Sequence, residues 1–308
     1  MMIYTLTPNP SIDRLLTIDE IRFNTVLRSN KVRQDWGGKG FNISRALRTL
    51  GIESIAMGWV GGETGKMLAD GLQKLGIQTD FVWVDQDTRI NTMIIEQAGE
   101  WHVKVNEPGP LISNEDIEQM HFKVSGRAKK GDVWVLSGSL PPDVPDTLYA
   151  ELINLLKRRG ARVYLDAQGE ALRNGCLAVP YLVKPNASEA AQIVGFPIEN
   201  QEDAKRAALY FLRMGIPYFA LALGAAGLLL ATRSEMVFAS SPRVQVRNAA
   251  GAGDALMAGM IYAQMCNMNL ADVARWGVAA GSASVETEGV SEFYFERAQT
   301  LVDKVIVQ

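Results

Sequence analysis

A chain of 308 residues, 47% of them hydrophobic, suffices for one large domain or two smaller ones around a substantial core. With 31 basic against 34 acidic residues the net charge is −3 and the isoelectric point near 5.6, so neither nucleic acid nor an anionic membrane surface is an expected partner. The two cysteines, Cys176 and Cys266, offer neither a metal spacing nor a disulfide framework, and such usage suits a cytoplasmic protein.

In chain order, residues 3–7 form a short apolar strand stopped by Pro8-Asn9-Pro10. The start has no basic segment followed by an apolar run, so no signal peptide is expected. Residues 14–35 alternate roughly between apolar and polar and read as strand with one wet face. After Gly37-Gly38-Lys39-Gly40, residues 41–50 have helical spacing, closed by Gly51. Strands are then expected at 54–60 and 81–84, with a helix at 64–75 between them. Residues 89–96 and 101–105 flank Ala98-Gly99-Glu100, a hairpin turn. Further helices are predicted at 114–124, 145–159, 202–214, 253–265 and 271–284. Strands are predicted at 133–136, 162–165, 182–184, 218–223 and 227–231. The longest stretch without charge, 214–232, carries Gly215, Pro217, Gly224 and Gly227, so it reads as two buried strands and a turn. Repeated strand–helix units predict an α/β fold with a central, mostly parallel sheet flanked by helices, in one domain covering 1–308. The stretches near 14–35 and 89–107 break that rhythm and predict a small separate β-sheet, or lid.

Chemistry concentrates at Asn248-Ala249-Ala250-Gly251-Ala252-Gly253-Asp254, which opens an uncharged helix. Small residues let backbone approach a ligand, and the helix start offers free N–H groups to an anion. Asp254 there can accept a proton from a hydroxyl, although an acidic residue in a first turn is also an ordinary helix stabiliser.

Gly-Ala-Gly-Asp at 251–254 resembles the second signature of the ribokinase-like (PfkB) carbohydrate kinases. Gly37-Gly38-Lys39-Gly40-Phe41-Asn42 resembles the first. Further matches follow in family order: Thr7-Pro8-Asn9-Pro10-Ser11-Ile12-Asp13, Arg89-Ile90-Asn91, Asn106-Glu107-Pro108-Gly109 and Leu136-Ser137-Gly138-Ser139-Leu140-Pro141-Pro142. Lys184-Pro185-Asn186-Ala187-Ser188-Glu189 and Leu223-Gly224-Ala225-Ala226-Gly227 complete the set, which spans nearly the whole chain. The pattern is similar to the subgroup of 1-phosphofructokinase and tagatose-6-phosphate kinase, which also holds a bacterial 6-phosphofructokinase.

The resemblance implies transfer of a phosphoryl group from ATP to a phosphorylated ketohexose, with Mg2+ and a β lid that doubles as a homodimer interface. Asp254 becomes the base, with Gly251, Ala252 and Gly253 holding the developing phosphate charge. Asp13, Gly37, Gly38 and Asn42 bind the sugar. Lys39, Arg89, Ser137, Gly138 and Ser139 take its phosphate, and Arg28 reaches a neighbouring subunit's site. Lys184, Leu223, Gly224, Gly227, Ala280 and Ser282 join Gly251 and Gly253 around the nucleotide. Asn186 and Glu189 hold the magnesium, largely through water, in a spacing that also fits a helix-capping box.

Two departures stand out. Ala249 replaces the Thr or Ser usual in the family, which weakens the case for K+. Many 1-phosphofructokinase relatives carry a basic residue soon after Arg-x-Asn, where this chain has Thr92-Met93-Ile94-Ile95. Fructose 1-phosphate leads as acceptor, ahead of tagatose 6-phosphate and fructose 6-phosphate. A non-catalytic sugar-phosphate sensor is the rival, against which the intact Asp254 stands. A dinucleotide-dependent dehydrogenase is excluded, because no strand–GxGxxG–helix opens the chain.

Overall fold

A computed structural model describes residues 1–97 and 101–308, so the turn expected at Ala98-Gly99-Glu100 lies outside the described residues. The chain begins with β1 (Ile3–Thr7), β2 (Ser11–Ile18), β3 (Lys31–Gly37), α1 (Lys39–Thr49), β4 (Ile55–Gly61) and α2 (Gly62–Lys74). It continues through β5 (Gln78–Thr79), β6 (Val82–Val84), β7 (Arg89–Glu96), β8 (His102–Asn106), α3 (Asn114–Arg127) and β9 (Val133–Ser137). Next come α4 (Leu148–Arg158), β10 (Arg162–Asp166), α5 (Gly169–Leu177), β11 (Leu182–Val183), α6 (Ala187–Val194) and α7 (Gln201–Arg213). After β12 (Tyr218–Ala222) follow β13 (Leu228–Ala231), β14 (Met236–Ser240), α8 (Ala252–Met265), α9 (Leu270–Ser284), α10 (Phe295–Val302) and β15 (Ile306–Val307).

The large sheet has the order β15-β14-β13-β12-β11-β10-β9-β1-β4-β5, with β6 also paired to β4. Strands from β12 to β5 in that order run parallel, while β13, β14 and β15 close one edge antiparallel. Central strands such as β9 (VWVLS) are buried throughout, as a sheet covered on both faces requires. One core lies beneath α3, α4 and α7, with Trp59, Trp134 and Phe211 fully buried. A second lies beneath α1, α8 and α9. There Gly259 of α8 has the Trp276 carbonyl of α9 where a Cβ would stand, so the two helices touch backbone to backbone.

The small sheet, order β3-β2-β7-β8, is separate. The stretch at 14–35 is not continuous strand: β2 and β3 are joined by an exposed loop at 19–30. Arg28 is therefore an exposed loop residue and not a strand residue. The short helices α5, α6 and α10 and the strand β14 were not among the expected elements, and α5 carries an interior Gly175 that weakens its helical pattern.

Candidate active site

In a parallel sheet the carboxyl ends of the strands face the ligand crevice. Here those ends bring together Thr7 of β1, Ser137 of β9, Asp166 of β10 and Lys184 just past β11, with Asp166 directly opposite Ser137 in register. Asp166 is buried between two ammonium groups, with Lys39 Nζ at 2.8 Å and Lys184 Nζ at 2.8 Å. Burial works against its ionisation, but the two lysines outweigh it and hold the carboxyl below its usual range. Lys39 is likewise opposed by burial, yet Asp166 and then Asp254 push its pKa up, so it stays cationic.

Asp254 stands in the first turn of α8 and is 6% exposed. Burial, reinforced by the negative charge of Asp166, raises its pKa to about 6, against the opposing pull of Lys39, the Asn42 hydrogen bond and Lys184. Asn42 Nδ2 donates to Asp254 Oδ2 at 2.8 Å. Gly251, with φ of 79°, caps α8 in the left-handed region that glycine tolerates. A Cβ on Gly253 would lie 3.4 Å from Lys184 Nζ, so the ammonium sits against the start of α8. A buried carboxylate able to take a proton near neutrality, next to cations and a helix N-terminus, suits transfer of an anionic group to a hydroxyl.

The remaining parts surround this centre. Asp13 Oδ1 accepts from Ser11 Oγ at 2.7 Å and from Asn91 Nδ2 at 2.9 Å, which fixes the carboxylate on the small sheet. A Cβ on Gly37 would fall 2.4 Å from Asp13 Oδ2, so only glycine lets the chain pass there. Asn9 Nδ2 donates to the carbonyls of Pro108 at 2.9 Å and Leu140 at 3.3 Å, tying three loops together. Asn186 caps α6: its Oδ1 accepts from the Glu189 amide and its own amide donates to Glu189 Oε2, each at 2.9 Å. That is a capping box, as the spacing allowed. Gly224 opens an exposed turn with free space where its Cβ would lie.

The profile of the pfkB family carbohydrate kinases matches residues 7–296. The chain belongs to the PfkB family of carbohydrate kinases. It is 34% identical over 294 residues to a 1-phosphofructokinase of Bacillus subtilis, covering 95% of this chain and 96% of the relative. A tagatose-6-phosphate kinase of Staphylococcus epidermidis is 30% identical, with 84% of each chain covered. The solved structure of phosphofructokinase-2 from Escherichia coli in complex with potassium has a TM-score of 0.93 at 29% identity, covering 98% of each chain. This PfkB kinase is thus a phosphotransferase with an alcohol group as acceptor.

Within that frame the expected site residues divide. Asp254, Asn42, Lys39, Lys184 and Gly251–Gly253 meet around the charged centre, and Asp13 with Gly37 and Gly38 flanks it. Asn42, expected to reach a sugar hydroxyl, donates its Nδ2 to Asp254 and keeps its buried Oδ1 without a partner. Lys39, expected on the acceptor's phosphate, is ion-paired to Asp166. Arg89 donates to the carbonyls of Asn9 at 2.9 Å and Glu107 at 3.1 Å, and its Nε is buried, so its guanidinium is turned into the protein. Ser137 is sealed: its Oγ is buried beneath Gly40 and offers no surface to a phosphate. Gly138 (φ of 100°) and Ser139 remain partly exposed above it. Ala280 is fully buried against Gly259 of α8, and Ser282 is buried alongside. Gly227 is confined by packing, with the Ala239 carbonyl 2.0 Å from where a Cβ would stand, and Leu223 closes the same turn by donating to the Gly227 carbonyl at 2.9 Å.

Asp166 escaped the sequence reading. Its signal was a lone acidic residue ending an apolar strand, Arg162–Asp166, a pattern too common to single out.

Proposed function

We propose that this PfkB kinase transfers the γ-phosphoryl group of ATP to fructose 1-phosphate, giving fructose 1,6-bisphosphate. The observation that carries the reading is Asp254, a buried carboxyl with a pKa of about 6, held by Asn42 beside the Lys39–Asp166–Lys184 chain. At neutral pH it is ionised and accepts the proton of the acceptor hydroxyl as that oxygen attacks phosphorus. Lys39 and Lys184 neutralise charge on the phosphoryl oxygens, and the α8 N-terminus adds its dipole. Asp13 and Asn91 orient the sugar hydroxyls. Nucleotide would lie along Gly224, where the space a Cβ would take is open, and reach the Gly251–Gly253 turn at the start of α8.

Magnesium fits the oxygens present: Glu189 uses Oε2 in the capping box and keeps Oε1, and Asn186 is exposed beside it. Mg2+ needs only one or two protein oxygens besides phosphate and water, and it would neutralise phosphate charge. K+ remains a property of the Escherichia coli relative's structure, and Ala249 removes one hydroxyl that a cation would use here.

A homodimer through the small sheet has support in the face that turns away from the cleft. In register there stand Val32, Leu16, Ile94 and Val103, with Val32 61% exposed. Arg28, in the loop beside that sheet, would reach the second subunit's site. The free thiols Cys176 and Cys266 suit a cytoplasmic enzyme. No described helix is long and apolar enough to cross a membrane.

Coupled assays of kcat/KM with Mg-ATP, run side by side on fructose 1-phosphate, fructose 6-phosphate and tagatose 6-phosphate, test the reading. A preference of about a hundredfold, or about 2.7 kcal/mol, for the first supports it. Equal low rates on all three would reject it.

A further inference from the structure

The loop between α9 and α10, residues 285–294, braces the turn that opens α8. Ser291 is fully buried, and its Oγ donates to the Gly251 carbonyl at 2.8 Å. That carbonyl also accepts from the Asp254 amide at 3.0 Å, so the hydroxyl and the backbone of the base share one oxygen. The fit is close: a Cβ on Gly251 would fall 2.3 Å from Ser291 Oγ and 2.8 Å from Val290 Cγ1. Ser291 itself has a φ of 53°, a conformation that residues other than glycine rarely hold. Such backbone persists only where its surroundings over-determine it, and it gathers at functional sites.

Arg45 fixes the same loop from the other side. This guanidinium, on the buried face of α1, is 7% exposed and makes no ion pair among the described residues. Its Nη1 donates to the Val290 carbonyl at 2.8 Å and its Nη2 to the Trp36 carbonyl at 3.5 Å, while Nε is buried without a partner. A buried cation with no counter-charge is costly, so its bonds serve geometry more than stability. The planar fork suits that role, because its nitrogens stand in one fixed relation. Trp36 lies in β3 next to Gly37, which abuts Asp13, and Val290 precedes Ser291. Arg45 thus joins the turn that reads the sugar to the loop that holds Gly251. The loop is pinned again at Glu288, whose carbonyl accepts from Arg33 and, at 3.0 Å, from Asn248 Nδ2. Thr287 Oγ1 closes it on itself by donating to the Glu292 carbonyl at 2.9 Å.

We infer that Arg45 and Ser291 are positioning residues for phosphoryl transfer. The inference rests on the phosphoryl transfer proposed above, but not on which ketohexose phosphate is the acceptor. The first turn of α8 stabilises charge that develops in the transition state, and Asp254 must meet the acceptor hydroxyl in line. A shift of the Gly251 peptide moves both at once, because the Asp254 amide is bonded to its carbonyl. Ser291 sets that peptide, and Arg45 sets Ser291 through the neighbouring Val290 carbonyl. What the two residues govern is the alignment of the turn rather than a ground-state contact, so their loss falls on kcat and spares KM.

The test compares wild type with Ser291→Ala, Ser291→Gly, Arg45→Met, Arg45→Lys and the double variant Arg45→Met with Ser291→Ala. Both kcat and KM are measured with Mg-ATP and whichever of the three ketohexose phosphates wild type turns over fastest, and melting temperatures are read on the same samples. Both Ser291 variants are expected to lose about tenfold in kcat, with each KM changed less than about twofold. Glycine accepts a positive φ, so Ser291→Gly keeps the backbone and removes only the hydrogen bond. Arg45→Met is expected to fall by the same order and the double variant no further, since the two residues act in series. Arg45→Lys recovers part of the loss by keeping one donor on the Val290 carbonyl. Should Arg45→Met fail to fold, the two Ser291 variants decide the matter. Wild-type kcat in both of them, with or without a lower melting temperature, makes the loop merely structural and overturns the inference. So do losses carried by KM, or losses that add independently in the double variant. A wild type that prefers another acceptor rejects fructose 1-phosphate and leaves the positioning role standing, whereas one that phosphorylates none of the three overturns both.

Discussion

Asn42 Nδ2 donates to Asp254 Oδ2 at 2.8 Å, joining the first turn of α1 to the first turn of α8 across 212 residues of sequence. Both helices start at the carboxyl side of the sheet, each after a glycine with positive φ, Gly38 and Gly251. The bond holds the carboxylate in one orientation and pulls its pKa down against burial.

Removing that donor therefore lets burial act with less opposition. Asn42→Leu is expected to move the acid limb of the kcat–pH profile upward from its wild-type position near pH 6. The rate at pH 6.5 falls more than the rate at pH 8. A profile parallel to wild type at all pH values would show that Asn42 does not tune the base.

Asp254→Asn is expected to lower kcat by at least a hundredfold with the fold retained. Its stability has a pH signature. A carboxyl whose pKa is raised to about 6 in the fold binds its proton more tightly folded than unfolded, so its ionised form costs stability above that pH. The cost, about 3 kcal/mol at most for a shift of this size, fades as pH falls below the ordinary carboxyl range. Thermal melts should accordingly show the variant gaining on wild type at pH 8 relative to pH 4. The opposite trend would contradict the raised pKa.

Asp166→Asn leaves Lys39 and Lys184 without their shared counter-charge. Breaking a buried ion pair from one side costs about 3–5 kcal/mol. Urea denaturation should show a loss of that order, with turnover falling as well because both ammonium groups are released. A loss below about 1 kcal/mol would mean that water or the lysines' own deprotonation relieves the site.

Glu189→Gln keeps the size of the side chain and its contact with the Asn186 amide, but removes the charge. The Mg2+ concentration for half-maximal rate should rise several-fold, while the melting temperature shifts by only a degree or two. An unchanged Mg2+ requirement would move the metal's protein ligand elsewhere.

Much of the architecture was legible along the chain, because each strand–helix unit carries its own period and its own glycine or proline stop. Strands β1, β4, β9, β10 and β12 and helices α1, α2, α7, α8 and α9 fall within a few residues of expectation. The separate sheet was visible as two stretches that broke the rhythm, although the loop at 19–30 was not, since its Ile21, Phe23 and Val26 imitate strand alternation. Short helices such as α5 and α10 lack enough turns to show a period.

The sequence by itself determined which groups this protein owns for chemistry: a glycine-rich turn followed by Asp254, a Lys-Pro-Asn-x-x-Glu capping box, and Asp13 after a proline turn. Their identity is local, because turns and caps are written in neighbouring residues. Only the tertiary structure decided how they are charged and what they touch. Asp166 gains its importance from Lys39, 127 residues away, and from Lys184, and Asp254 owes its raised pKa to burial among them. Asp13 and Asn91 share a row only because β2 and β7 pair in one register. Burial and cross-strand alignment depend on contacts between distant segments, and neither leaves a mark in the residues on either side.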